Sequence, residues 1–265
     1  LADACAAHAI MLRDLAIIDD GYLASILGSI EQARGAELPR MALALVAPLF
    51  DERIDSQTAP GALGAPQIGR GQTDLAATGA RLVLRDRLLV TLPEVLRLRE
   101  VVEEFVSSHS VTLMQVTIHA QPAQASTLGH QAAPLLAALE RGYGALYGAL
   151  LEANRSPLGA GLGTSAGFPI DRGRIAELLG MSESIDLASD AMGGFDWLLA
   201  LSNAIERIAT PIGGWLDELL GMMRANPDAF GLESSWQVTD LLAPGWQASG
   251  GVAALAAHAR RVEGE

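Results

Sequence analysis

The sequence contains no lysine: all 18 basic residues among its 265 are arginine. That absence excludes a Schiff-base lysine and a Walker-type phosphate lysine. Cysteine occurs once, at Cys5, which excludes an internal disulfide framework and predicts a reducing compartment, the cytoplasm. Aromatic residues make up 5% of the chain and charged residues 18%, leaving Ala, Leu and Gly to carry the apolar content. The net charge of −13 argues against nucleic acid, because phosphate binding needs clustered cations. Histidines stand at 8, 109, 119, 130 and 258 without paired ligand spacing, so no metal and no other cofactor is expected. The stretch LADACAAHAIMLRDLAIIDD is interrupted by Asp3, His8, Arg13 and Asp14 and reads as neither a signal peptide nor a membrane span.

What is present is helical periodicity. Ala7, Ile10, Met11, Leu15, Ile17 and Ile18 form one apolar face, ending near the DDG turn at 19–21. Two further helices are expected before a Pro- and Gly-rich loop at 55–71. From Thr73, a candidate N-cap, a long periodic stretch runs to about Ser108, and Pro93 is expected to kink or divide it. Long helices follow over 125–154 and from Ser184 to about Met223, with a glycine-rich loop at 156–173 between them and a last helix over 252–261. No segment shows convincing period-two alternation, so the expected class is all-α. The expected organisation is an N-terminal helical segment, 1–55, continuous with a long-helix bundle, 56–265.

Several segments, in order, resemble argininosuccinate lyase of the fumarase/aspartase superfamily: GRGQTDLAATGARLVLRD, IHAQPAQASTLGH, SPLGAGLGTSAGFPIDR, AELLG and SIDLASD. The specific piece is SPLGAG…FPIDR. The resemblance implies a bundle of long, near-parallel helices, truncated here relative to the family. It also implies a homo-oligomer, dimer or tetramer, whose active sites draw on several subunits and bind a small-molecule substrate. The family reaction is a β-elimination: a base removes a proton beside a carboxylate and an acid protonates the departing nitrogen. Positive dipoles hold the developing charge.

Carried over position by position, the resemblance makes His119 the proton shuttle. Arg70, Gln72, Thr73, Asp74, Gln121 and Gln124 become substrate-binding residues. The family's Ser-Arg-Asn falls on Gly71, Gln72 and Thr73, so its substrate-contacting arginine is absent. Aligning the mobile loop LESSWQVTDLLAPGW on its SS puts the catalytic serine at Ser235, whereas aligning on Pro244 puts a different residue there. The loop's lysine and asparagine are missing either way. Arg70 and Asp74, four apart at a helix start, are also spaced for a local ion pair. Helical spacing from 119 to 130 would set His119 and His130 on one face.

The losses all remove partners for a dicarboxylate, and an anion without a partner carries a large desolvation cost. The reading is therefore a lyase-family enzyme performing acid–base elimination, addition or cyclisation on a small, weakly charged substrate other than argininosuccinate, in specialised metabolism. The alternative is a catalytically inactive lyase-like scaffold that acts as a binding or assembly module.

Overall fold

Helix α1 (Ala2–Asp14) buries Ala4, Cys5, Ala7, His8, Ala9, Met11 and Leu12, so it is enclosed on almost every side. It ends earlier than the apolar pattern suggests. Ala16 takes a left-handed φ of 55°, while the Ile17 and Ala16 N–H groups donate to the Leu12 and Arg13 carbonyls, each at 2.9 Å. This is a Schellman closure with alanine where glycine is usual. It turns Ile17 back onto the same core as Leu12. The N–H of Tyr22 donates to Asp19 Oδ1 at 2.8 Å, which caps α2 (Asp20–Arg34). Because a Cβ at positive φ costs on the order of 1 kcal/mol, Ala16→Gly is expected to raise the unfolding free energy by ~0.5–1 kcal/mol. Urea denaturation checks this, and an unchanged or lower midpoint would contradict it.

The computed structural model describes residues 1–35, 42–118, 121–225, 229–230, 238–240, 243–248, 252, 254–257 and 259. They divide between two compact units, Leu1–Leu89 with Leu150–Trp197, and Val90–Ala149 with Leu198–Glu265. In the first unit, α1, α2, α3 (Leu43–Gln57) and α6 (Arg172–Leu178) surround a core that includes Met11, Leu12, Ile26, Ile30, Ile54, Leu75, Leu158 and Ile175. The two-residue strands β3 (Arg155–Ser156) and β4 (Glu183–Ser184) pair in parallel, and α7 covers Ala188–Gly193. The expected loop over 55–71 contains two single-turn helices, Pro60–Ala62 and Ala65–Gln67.

In the second unit, Val102 from α4 (Gln72–Ser108) packs with Leu135 and Leu139 from α5 (Leu128–Ala153) and with Ile208, Ile212 and Trp215 from α8 (Asp196–Ala225). Val252 and Ala256 pack with Leu220. Pro93 does not divide α4, which continues from Gln72 to Ser108. Losing one ladder bond costs ~3 kcal/mol, and burial of the neighbouring Leu92 and Val95 offsets it at ~1.5–3 kcal/mol each.

The all-α class holds, with short strand pairs as local departures. Where continuous non-strand chain and then helix were expected, β1 (Leu113–Ile118) and β2 (Gln121–Thr127) form an antiparallel hairpin. Val116, Thr117 and Ile118 favour extended backbone, and Pro122 lacks a donor for a helical ladder. Thr127 then starts α5 by accepting the His130 N–H at 3.2 Å. Strands β5 (Val238–Asp240) and β6 (Ala243–Ala248) form a third short pair.

Candidate active site

The first unit places the start of α4 against the glycine-rich loop through one carboxylate. Asp74 is fully buried. Its Oδ1 accepts the Gly71 N–H at 2.9 Å, and its Oδ2 accepts the Gly159 and Gly161 N–H groups at 3.1 and 3.0 Å. Gly159 and Gly161 present those N–H groups from φ values of 84° and 65°, a conformation that favours glycine. Burial pushes the Asp74 carboxyl above the usual carboxylate range, opposed by the N–H groups of Gly161 and Gly71 and by the charge of Arg70. The far end of the loop is held just as locally. Ile170 packs on the core, Asp171 caps α6 by accepting the Arg174 N–H at 2.8 Å, and Arg172 donates to the carbonyls of Ile185 and Asp186.

Arg70 does not pair with Asp74 in the local manner its spacing suggests. Its guanidinium, 0% exposed, binds Asp51 of α3 through both oxygens, at 2.6 and 3.1 Å. Its Nε donates to the Pro66 carbonyl at 2.8 Å, and Nη2 reaches Cys5 Sγ at 3.6 Å. Asp74 instead takes the three backbone donors of Gly71, Gly159 and Gly161. Nearby, His8 Nε2 lies 2.8 Å from the Ile68 carbonyl, and His8 Nδ1 is buried without a partner among the described residues. Burial, reinforced by the charge of Arg70, lowers the His8 imidazole to about 4, so it is neutral at neutral pH. Burial also raises the Cys5 thiol to about 11, against the pull of Arg70.

Beside this buried pair, Gly71 and Gln72 line a cavity of about 430 Å³ together with Asp51, Glu52, Asp55 and Gln67. Asp55 Oδ1 and Gln67 Oε1 are buried there without partners among the described residues. Gln72 and Thr73 are exposed. Sequence reasoning missed Asp51, His8 and Cys5 as members of this cluster. Asp51 carried a readable signal, since it lies on the apolar face of α3 with Ala47, Phe50 and Ile54.

In the second unit, Gln121 and Gln124 are both exposed on β2. Three-residue spacing puts side chains on opposite faces of a regular strand. Here the register steps from Gln115↔Ala125 to Thr117↔Pro122, so Val116 opposes two residues, 123 and 124. This bulge restores Gln124 to the face of Gln121. His119 and Ser235 lie outside the described residues. The helical argument for pairing His119 with His130 does not apply, because 121–127 is a strand.

A model of the family described as "Lyase" matches residues 65–235, from the Asp74 clamp through the glycine-rich loop and beyond. The chain belongs to this lyase family, as an argininosuccinate lyase-like member. Argininosuccinate lyase of Methanosarcina mazei is 29% identical to this lyase-family chain over 216 residues, covering 81% of this chain and 44% of that one. The chain thus spans about half the length, or somewhat less, of such curated relatives. In fold it matches EDDS lyase in complex with formate at a TM-score of 0.88 with 24% identity, covering 99% of this chain and 52% of that one. The class II fumarase of Schistosoma mansoni matches at 0.82 with 14% identity, covering 99% and 64%. These two likenesses show that the chain shares the helical-bundle fold of those enzymes. Among the described residues of this lyase-family chain, no helix is long and apolar enough to cross a membrane, and no cluster of three or more His, Cys, Asp or Glu could hold a metal ion.

Proposed function

We propose that this chain contributes to a lyase active site in which His119 shuttles a proton during elimination, addition or cyclisation of a small, weakly charged substrate other than argininosuccinate. The observation that carries this reading is the cavity beside Gly71 and Gln72. Its guanidinium, Arg70, is already spent on Asp51, while Glu52, Asp55 and Gln67 present further acceptors. A substrate carboxylate about 5 Å from one such carboxylate would be repelled by ~3 kcal/mol at an effective dielectric constant of about 20. Gln72, Thr73, Gln121 and Gln124 are exposed neutral side chains, suited to a substrate without paired charges. Ser235 remains the candidate acid or base opposite His119. Specialised metabolism follows from the loss of dicarboxylate contacts, and a cytoplasmic address rests on the buried free thiol of Cys5. A homo-oligomer is part of the same reading, supported by Leu162, Phe168, Leu187 and Phe195, large apolar residues exposed on the first unit.

The test is mass spectrometry of a metabolite extract incubated with wild type and with His119→Ala. A feature consumed by wild type and depleted ~10²–10⁴-fold more slowly by the variant supports the shuttle. Equal consumption by both proteins removes His119 from the mechanism. Argininosuccinate is expected to yield no fumarate, and brisk fumarate release would overturn the substrate reading. A scaffold role is the second reading, favoured by the internal use of both Arg70 and Asp74. It predicts no conversion and an assembly state unchanged by His119→Ala.

A further inference from the structure

The second unit contains a cavity of about 750 Å³, within the ~300–1,000 Å³ usual for small-molecule sites. Phe105 of α4 and Trp215 and Leu219 of α8 contribute apolar walls, and Met223 stands at the end of α8. The aromatic part is ordered: Phe105 meets Trp215 edge-on at 6.4 Å between centroids and lies 4.6 Å from the His109 ring. Among the described residues, no Asp, Glu or Arg lines the space. Its polar groups are grouped just past the end of α4 and on β1: His109, Thr112 and Gln115. His109 Nδ1 engages Thr112 Oγ1 at 3.1 Å.

Water fills such a space poorly, because an ordered water needs ~2–4 polar partners and most of this wall supplies none. A charged ligand would lose its hydration without meeting an opposite charge. We infer that this cavity binds an uncharged small molecule with an aromatic or branched aliphatic body and one hydroxyl, carbonyl or amide end. The body lies against Phe105, Trp215 and Leu219, and the polar end meets His109 and Gln115. This assignment stands apart from the catalytic reading and does not require His119.

The test uses the full chain and the uncharged fluorophore N-phenyl-1-naphthylamine. Binding is expected to be saturable at one probe per chain, with energy transfer from tryptophan to the probe. Ala132→Phe fills the cavity from α5, where Ala132 is 1% exposed, and is expected to weaken binding at least tenfold. Because a buried substitution can disturb folding, Met223→Trp at a half-buried position is the second variant, with far-ultraviolet circular dichroism and Tm measured for both. Non-saturable binding by wild type overturns the proposal, as does binding held within twofold in variants that fold like wild type. Probe exclusion that follows self-association of wild type also overturns it, since a second copy would then be the occupant.

Discussion

Asp74→Ala is expected to lower the unfolding free energy by about 4 kcal/mol, because two buried backbone donors and one partly buried donor lose their acceptor and each buried one costs ~1–3 kcal/mol when left unpaired. Relief from burying a carboxylate offsets part of that loss. The donors are the N–H groups of Gly71, Gly159 and Gly161, so the damage has a location as well as a size. Amide hydrogen exchange at Gly159 and Gly161 should accelerate before global unfolding does. Asp74→Asn preserves the shape but turns an amide N–H₂ toward at least one backbone donor, with an expected loss of about 2 kcal/mol. A loss under 1 kcal/mol for Asp74→Ala, with protection at both glycines intact, would show that the clamp is not what holds the loop.

The second large effect concerns Asp51. Asp51→Ala leaves the Arg70 guanidinium buried without its counter-charge, a change that costs ~3–5 kcal/mol where a buried pair is broken from one side. Arg70→Met should be similarly damaging, since it strands a carboxylate that is 6% exposed. The double variant Asp51→Leu/Arg70→Met is expected to recover most of the stability, because an apolar pair of comparable volume carries no desolvation cost. Urea denaturation of the singles and the double closes the cycle. Additive losses would mean that each residue acts through its other contacts, such as the bond from Arg70 Nε to the Pro66 carbonyl at 2.8 Å.

The sequence made some of this architecture plain. Helices were readable because their apolar residues recur along one face, and the glycine-rich loop was readable because SPLGAG…FPIDR is specific. Physical reasons account for the rest. The hairpin β1–β2 has no Asn-Gly or Asp-Gly at its turn, and its strands are short enough for Val116, Thr117 and Ile118 to pass as part of a connecting segment. Its bulge at 123–124 has no local signature, yet it decides that Gln121 and Gln124 share a face. Arg70 and Asp74 invited a local pairing, and the three-dimensional structure outweighed it with a partner 19 residues away and with backbone donors from the glycine-rich loop. His8 looked like one interruption in an apolar helix, whereas it belongs to a buried polar cluster with Cys5, Arg70 and Asp51.

The Asp74 clamp also bears on the order in which this chain assembles. It joins residues 85 and 87 positions apart in sequence, so chain entropy opposes it until much of the intervening polypeptide has been placed. Glycines with access to left-handed backbone gain little local order beforehand. The loop therefore takes its final shape late, as α4 delivers its carboxylate, and a newly synthesised chain completes this part of the site only after residue 161 has become available to it.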